Sequence, residues 1–384
     1  MNNTKMQILE GSKAAALSVC LCRPALTVAY PITPQTHIVE ALAKFIADGK
    51  LDARHIEVES EFSAISAVVG GSAAGSRVFT ATSSQGLALM HEVIFAAAGM
   101  RLPIIMQVAN RALSAPINIW NDWQDSISER DAGWLQLYCE TAQEVVDTTI
   151  QAYKIAEDKN VLLPVMVCMD GFFITHTIEP VEIPEQADVD RFLPEYKPTH
   201  AYLDPKRPMT QGPFAFPQPY MEMRKDLSDT IDSSKDTIKK VHDEFKKSFK
   251  RSYGNGLIDE YKNKGKKTVM ITMGSLAGTV REAVDARGDI SLVRIRCFRP
   301  FPKDDLRKAL KDAETVIILE KNISLGAGTG ALFDEIRSAL YGGKQKVLGV
   351  VCGIGGSEVT VEDVKNIAEE SKKKKDGDVW WLMK

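Results

Sequence analysis

Short apolar runs that alternate with helical periods constrain this chain more than any other feature. From residue 1 to about 185 the runs LTVAY (26–30), HIEVE (55–59), RVFTAT (77–82), PIIMQVA (103–109) and PVMVCMD (164–170) read as strands. Between them lie stretches such as IVEALAKFIADG, SAISAVVGGSAAG and GLALMHEVIFAAAGM, which carry helical character. Strands apolar on both faces must be covered on both faces. The pattern therefore predicts an α/β fold, a parallel sheet with helices on either side. A second series, KTVMITM, ISLVRIR, TVIILE and KVLGVVC, repeats the arrangement from about residue 265 to the end.

The connection between the two series differs from both. Residues 186 to about 222 hold many prolines and little period, and read as an extended arm laid over another surface. A charged helix follows, with Leu227, Ile231, Ile238, Val241, Phe245 and Phe249 on one face. The expected division is 1–185, 186–264 (arm and charged helix) and 265–384, ending in a lysine run (372–375) and the tail VWWLMK.

Composition excludes several classes. A net charge of −3 gives no basic footprint for nucleic acid. The longest apolar stretches are too short to span a bilayer. Glu10 precedes the first apolar segment and no clear cleavage site follows, a poor secretory signal. The expected location is cytoplasmic. The cysteines at 20, 22, 139, 168, 297 and 352 form no CxxC pair, and the histidines form no HxxxH or HExxH pair. No metal site is expected on this chain.

Four signals fall where strands end. Pro31-Ile32-Thr33-Pro34 follows the first strand, and its two prolines fix the backbone around Thr33. Glu61 follows the second, behind Ser60, a candidate helix cap. The hydroxyl-rich turn Thr82-Ser83-Ser84-Gln85-Gly86 follows the third, where helix N–H groups suit a polar ligand or ordinary capping. Arg111 follows the fourth, ahead of a loop in which Trp120 and Trp123 alternate with Asn118, Asn121, Asp122 and Asp125. A guanidinium there suits bidentate capture of a carboxylate, or a structural ion pair. Carboxyl ends of parallel strands are where α/β folds place ligands. A GxGxxA match at Gly326, Gly328 and Ala331 lacks the acidic residue of a dinucleotide site about twenty positions on, and reads as a structural turn or a phosphate- or partner-contacting one.

Taken in order, AYPITP, EVESEFSAISAVVGG, TATSSQGL and NRALSAPINIWNDWQDS closely resemble the pyrimidine-binding domain of the 2-oxoacid:ferredoxin oxidoreductases. Within that family the chain is most similar to alpha chains of the multi-subunit enzymes acting on pyruvate. RIRCFRPFP, LEKNISLGAGTGAL and GIGGSEVT match the second domain, which is similar to the C-terminal domain of transketolases. Ser357 departs from the pattern, standing where a basic residue is expected.

The resemblance implies a thiamine diphosphate enzyme whose cofactor is shared between chains. This chain would supply the pyrimidine half. A beta chain would supply the Mg2+-diphosphate half and a [4Fe-4S] cluster. A ferredoxin-like delta chain would carry two further clusters, and a gamma chain would complete the assembly. Coenzyme A would take the acyl group and ferredoxin the electrons. Glu61 resembles the glutamate that hydrogen-bonds the pyrimidine N1′. Arg111 and Thr33 match the pair that binds the 2-oxoacid. Pro31 matches a cofactor contact, and Thr82, Ser83 and Ser84 lie in the cofactor-binding turn. The competing expectations are another 2-oxoacid, such as 2-oxoisovalerate, a non-catalytic scaffold subunit, and a dinucleotide-dependent oxidoreductase.

Overall fold

The computed structural model describes residues 5–198 and 201–384. The first four residues of the N-terminal segment, and residues 199 and 200 of the proline-rich arm, lie outside the described residues.

All five expected strands of the first series form, as Leu26–Ala29, Arg54–Glu57, Val78–Thr82, Ile104–Asn110 and Val165–Asp170. They belong to one seven-stranded sheet. Across it the order is Cys297–Arg299, Leu135–Tyr138, Val165–Asp170, Ile104–Asn110, Val78–Thr82, Leu26–Ala29, Arg54–Glu57. Every pairing is parallel except that of Cys297–Arg299 with Leu135–Tyr138. Leu26–Ala29 lies between Arg54–Glu57, which follows it in the chain, and Val78–Thr82, to which the chain then returns. The connection from Leu26–Ala29 thus runs to one edge, and that from its neighbour Val78–Thr82 to Ile104–Asn110 runs toward the other. Such a switch point opens a crevice at the carboxyl ends of the strands.

The second series forms a six-stranded sheet in the order Val379–Trp381, Lys346–Val351, Thr315–Glu320, Thr268–Thr272, Ile290–Ile295, Ile258–Tyr261. Only Ile258–Tyr261 runs antiparallel.

Three expectations are corrected. Val379–Trp381, assigned to the tail, is an edge strand, and its bonds to Lys346–Val351 explain the apolar VWW. Ile258–Tyr261, placed with the arm segment 186–264, belongs to the second sheet, while Cys297–Arg299, placed with the second series, completes the first. Short strands pair across sequence divisions because their apolar pattern is too brief to mark a sheet. The arm is less extended than its prolines suggest. It opens with the helix Gln186–Phe192, and Pro217 begins a helix that runs to Phe249. Proline is well tolerated in a first turn, where its missing N–H has no partner to lose.

The helix Pro217–Phe249 packs its expected face inward. Leu227, Ile238, Val241, Phe245 and Phe249 are buried and Ile231 is half-buried, with Phe192 set edge-on against Phe245 and Phe249. The helix Ala142–Ala156 beneath it is buried along nearly all its length. Its Glu144 is fully buried and meets two arginines from the second series. Arg294 binds both carboxylate oxygens, and Arg296 Nε donates to Oε1 at 2.7 Å. Burial pushes this carboxyl up, but Arg294 and then Arg296 outweigh it and hold its pKa at about 2.

Removing one member of a buried pair leaves the other uncompensated, which costs roughly 3–5 kcal/mol. Glu144→Ala is therefore expected to lower stability by about that amount in denaturant unfolding. A folded value below the unfolded one stabilises above the unfolded pKa of about 4.3 and is lost as pH falls toward 2. Acid titrations should show this loss in the native chain and lack that component in Glu144→Gln; identical curves would remove Glu144 from the stabilising set.

Candidate active site

The crevice beside Leu26–Ala29 gathers the residues singled out above. Its first wall is the turn after that strand. Ile32 O accepts from Gln35 N at 2.7 Å, and the buried Gln35 side chain donates to Ala81 O at 3.0 Å, fixing the turn to the neighbouring strand. Pro34 is buried against Gly171, where a Cβ would stand 2.8 Å from the proline ring and 2.5 Å from Asn110 O. Pro31 and Thr33 remain exposed at the mouth.

Glu61 opens the helix Glu61–Ala73, capped by Ser60, whose hydroxyl accepts from Ser63 N at 3.2 Å. Its side chain is 7% exposed. Among the described residues no hydrogen bond or ion pair reaches its carboxylate. It lies against Gly86, where a Cβ would be 2.6 Å from Glu61 Oε1 and 2.6 Å from Thr82 Oγ1. The absent side chain of Gly86 is what lets the carboxylate and the third strand's tip approach. Thr82 Oγ1 is itself buried, with no hydrogen-bond partner among the described residues.

The two serines after Thr82 behave differently. Ser83 Oγ donates to Ala109 O at 2.7 Å, and Ser84 Oγ bonds Ala112 O and Gln85 Oε1. Their hydroxyls are committed to the adjacent strand and loop, so they shape the turn. Ser84 takes a left-handed φ of 48°, unusual for a residue with a Cβ.

Arg111 is 6% exposed. Its Nη1 donates to Thr33 O and its Nε to Asn118 O, both at 2.9 Å. Among the described residues no carboxylate forms an ion pair with it, and burial lowers its pKa against the opposing charge of Asp125. The first and fourth strand tips are thus joined directly by the guanidinium.

Two further carboxylates hold the loops. Asp125 Oδ1 accepts from Asn110 Nδ2 and Ser126 N, both at 2.7 Å; Oδ2 accepts from Ser84 N and Arg111 N, both at 3.0 Å. Burial pushes its pKa up to about 7, against the pull of these donors. Asp170, at the tip of Val165–Asp170, accepts from Trp123 Nε1 at 2.9 Å, from Ser275, and from Lys321 Nζ at 3.1 Å. Lys321 also donates to Asn121 Oδ1 at 2.8 Å. Gly355 N donates to Asp122, whose pKa burial pushes up to about 6, and Gly356 N donates to Asn121 O. The second unit therefore packs its GIGG turn on the tryptophan loop, and Ser357 lies exposed at the end of that turn.

Sequence spacing missed Gly86, Gln35 and the bonding role of Asp125. The only signals were a glycine closing a hydroxyl-rich turn and an acid within an aromatic loop. It also scattered the histidines: His37 and His176 stack at 4.8 Å, with His37 Nδ1 2.6 Å from Glu10 Oε1 and His176 Nδ1 2.7 Å from Thr175 Oγ1. The GxGxxA turn does not resemble a nucleotide site. Glu320 accepts from Leu332 N and Phe333 N, filling the helix N-terminus where a pyrophosphate would sit, and Gly330 lies against that carboxylate.

Comparison with known proteins agrees with this layout. The family described as pyruvate flavodoxin/ferredoxin oxidoreductase, thiamine diP-bdg, matches residues 18–243, and pyruvate:ferredoxin oxidoreductase core domain II matches 267–364. The pyruvate synthase subunit PorA of Methanocaldococcus jannaschii is 52% identical, covering 98% of this chain and 98% of that protein. The ketoisovalerate oxidoreductase subunit VorA of Pyrococcus horikoshii is 43% identical over 97% of this chain and 95% of that one. Among solved structures, 2-oxoglutarate:ferredoxin oxidoreductase from Magnetococcus marinus, with 2-oxoglutarate, coenzyme A and succinyl-CoA bound, superposes with a TM-score of 0.76. It is 21% identical, and the match covers 96% of this chain and 65% of that one. A split gene transketolase matches at 0.55 and 13% identity, over 95% and 97% of the two chains. The fold is a thiamine diphosphate-binding α/β domain followed by a transketolase C-terminal-like α/β domain.

Gly86→Ala tests the close approach at the third turn. The new methyl must displace the Glu61 carboxylate or the Thr82 hydroxyl. The expected outcome is a folded protein whose assembled form binds thiamine diphosphate roughly tenfold or more weakly, about 1.4 kcal/mol. Unaltered affinity would show that this approach does not matter for the cofactor.

Proposed function

The chain belongs to the pyruvate:ferredoxin oxidoreductase family, and from that premise we propose that it is the alpha subunit of a pyruvate synthase. The enzyme would decarboxylate pyruvate oxidatively to acetyl-CoA and CO2, pass the electrons to ferredoxin, and run the reverse carboxylation. The observation that carries this reading is Glu61, a mostly buried residue at the switch crevice whose carboxylate meets no donor among the described residues. A carboxylate held in the crevice with no donor among the described residues favours a bound group that supplies one.

Glu61 and the unpartnered Thr82 hydroxyl fit the pyrimidine half of thiamine diphosphate. Glu61 would accept a hydrogen bond from the pyrimidine N1′ and stabilise a proton there. Thr82 lines the same crevice, Pro31 contacts the cofactor from its mouth, and Ser83 and Ser84 act by holding the turn. When bound, thiamine diphosphate supplies a thiazolium ring that accepts the electron pair left as CO2 departs. Arg111, already anchored to the carbonyls of Thr33 and Asn118, would hold the 2-oxoacid carboxylate, and Thr33 would sit beside the keto oxygen. Fixing both on rigid strand tips matters because small misplacements of reacting groups slow reactions steeply.

Pyruvate is favoured over 2-oxoisovalerate by the higher identity to the pyruvate synthase subunit, 52% against 43%. The unpaired acid and anchored arginine argue against a non-catalytic scaffold. Tyr30, Phe62, Leu89, Ile117 and Trp120 stay exposed on the loops and helices that form the crevice, as expected of a surface covered by partner chains. Those chains are a beta subunit with Mg2+ and a [4Fe-4S] cluster, a gamma subunit, and a ferredoxin-like delta subunit with further clusters. Five of this chain's cysteines are buried, and burial pushes each of them up, to about 12 for Cys297 and Cys352. Such thiols are poor sources of the thiolates that clusters need.

Glu61→Gln keeps the size of the side chain and removes its charge. In the assembled enzyme it is expected to slow thiazolium C2 proton exchange by orders of magnitude while unfolding at nearly the native temperature. A slightly destabilised but fully active variant would make Glu61 a mere helix-start acid, worth about 0.3–1 kcal/mol.

Arg111→Ala should lower kcat/KM for pyruvate roughly 10- to 100-fold with thiamine diphosphate still bound, as loss of a hydrogen bond to a charged group implies. Native kinetics would reduce Arg111 to a loop clamp.

A further inference from the structure

We infer that Asp125 is a positioning residue for the reaction: one of its oxygens sets the cofactor turn and the substrate arginine in register. The inference rests on the proposed roles of Arg111 and the Thr82 turn. Asp125 touches neither ligand in that proposal and acts through the backbone.

The geometry is specific. Oδ2 receives the N–H groups of Ser84 and Arg111 at the same distance, 3.0 Å. Ser84 follows the third strand and Arg111 the fourth, and the two strands are parallel neighbours. A single atom therefore ties together the two turns that leave these strands. Oδ1 is held in turn by Asn110 Nδ2 and Ser126 N, so the carboxylate cannot swing to follow either loop alone. Four donors converge on a group that only accepts when ionised. The side chain is 2% exposed, so water does not replace a lost bond freely. Ser84 also holds a left-handed backbone with a Cβ present, a conformation that persists only where its surroundings impose it. The N–H of that residue is one of the two bonded to Oδ2.

Arg111 needs such a clamp. Its side chain binds Thr33 O and Asn118 O, which orients the guanidinium but leaves its own backbone free to shift with the loop. The bond from its N–H to Asp125 removes that freedom. In the same way Gly86 and Thr82, which flank Ser84, keep their approach to Glu61 only while the turn is held.

Asp125→Asn preserves shape but turns one acceptor into a donor facing N–H groups. In the assembled complex kcat/KM for pyruvate is expected to fall roughly 10- to 100-fold, as for loss of hydrogen bonds to a charged group. The decisive measurement is the double variant. The cofactor turn is read separately, as weaker thiamine diphosphate binding in Asp125→Asn; with that cofactor saturating, Arg111→Ala with Asp125→Asn should lie within about threefold of Arg111→Ala alone, because coupled residues do not add. Multiplied losses, or native kcat/KM in Asp125→Asn, would overturn the inference. Should Asp125→Asn not assemble, Asn110→Ala removes one donor from the same carboxylate. It is then expected to cost a few-fold in kcat/KM on the native background and nothing on the Arg111→Ala background; an equal cost on both would overturn it. Native kinetics in Arg111→Ala alone would instead defeat the proposed substrate role of Arg111, separately from the behaviour of Asp125.

Discussion

A carboxylate buried beside the tips of parallel strands must be met by donors, because removing an ion from water costs several kcal/mol. Two such groups organise this protein. Asp125 gathers N–H groups from the third and fourth loops of the first sheet. Asp170 gathers an indole N–H, a serine at the start of a second-unit helix, and the ammonium of Lys321. Each carboxylate is satisfied only when loops far apart in sequence occupy one arrangement. The requirement that their bonds be complete thus fixes the loops that form the crevice. Glu61 is the exception among the buried acids of this edge, since among the described residues no donor reaches its carboxylate, and the proposed ligand site rests on that difference.

The second unit is a support for the first as well as a fold of its own. Arg294 and Arg296 reach across to Glu144, and Cys297–Arg299 completes the edge of the first sheet. Gly355 and Gly356 bring bare backbone against the tryptophan loop, where a Cβ at Gly356 would stand 2.4 Å from Trp120 Cβ. Both glycines hold positive φ, which only glycine adopts readily. The aromatic loop that carries Asn118 and Asp125 is therefore gripped from both sides. Arg111 depends on it at two points, the carbonyl of Asn118 and the carboxylate of Asp125.

Glycine-rich turns illustrate how pattern and environment part company. The GAGTGA segment has the spacing of a phosphate loop, yet Glu320 occupies its helix N-terminus, and burial pushes that carboxyl up to about 8. An internal acid there leaves no place for an anion. TSSQG has no recognised phosphate pattern, yet its glycine leaves room for both the Glu61 carboxylate and the Thr82 hydroxyl beside the turn.

The sequence by itself determined the α/β class, most of the central strands and the four strand tips that bear Thr33, Glu61, Thr82 and Arg111. It could do so because strands buried on both faces must be continuously apolar, and because the residues at their ends depart from that pattern. Tertiary structure alone decided which tips are neighbours, since strand order is set by crossovers that leave no periodic trace. It decided that Arg111 is anchored to the carbonyls of Thr33 and Asn118 rather than to a protein carboxylate, and that Ser83 and Ser84 turn inward while Thr82 Oγ1 has no partner among the described residues. It also assigned Ile258–Tyr261 and Cys297–Arg299 to their sheets. These outcomes depend on where donors and acceptors from distant segments meet, and hydrogen-bond geometry at a few ångströms is not encoded in the spacing of residues along the chain.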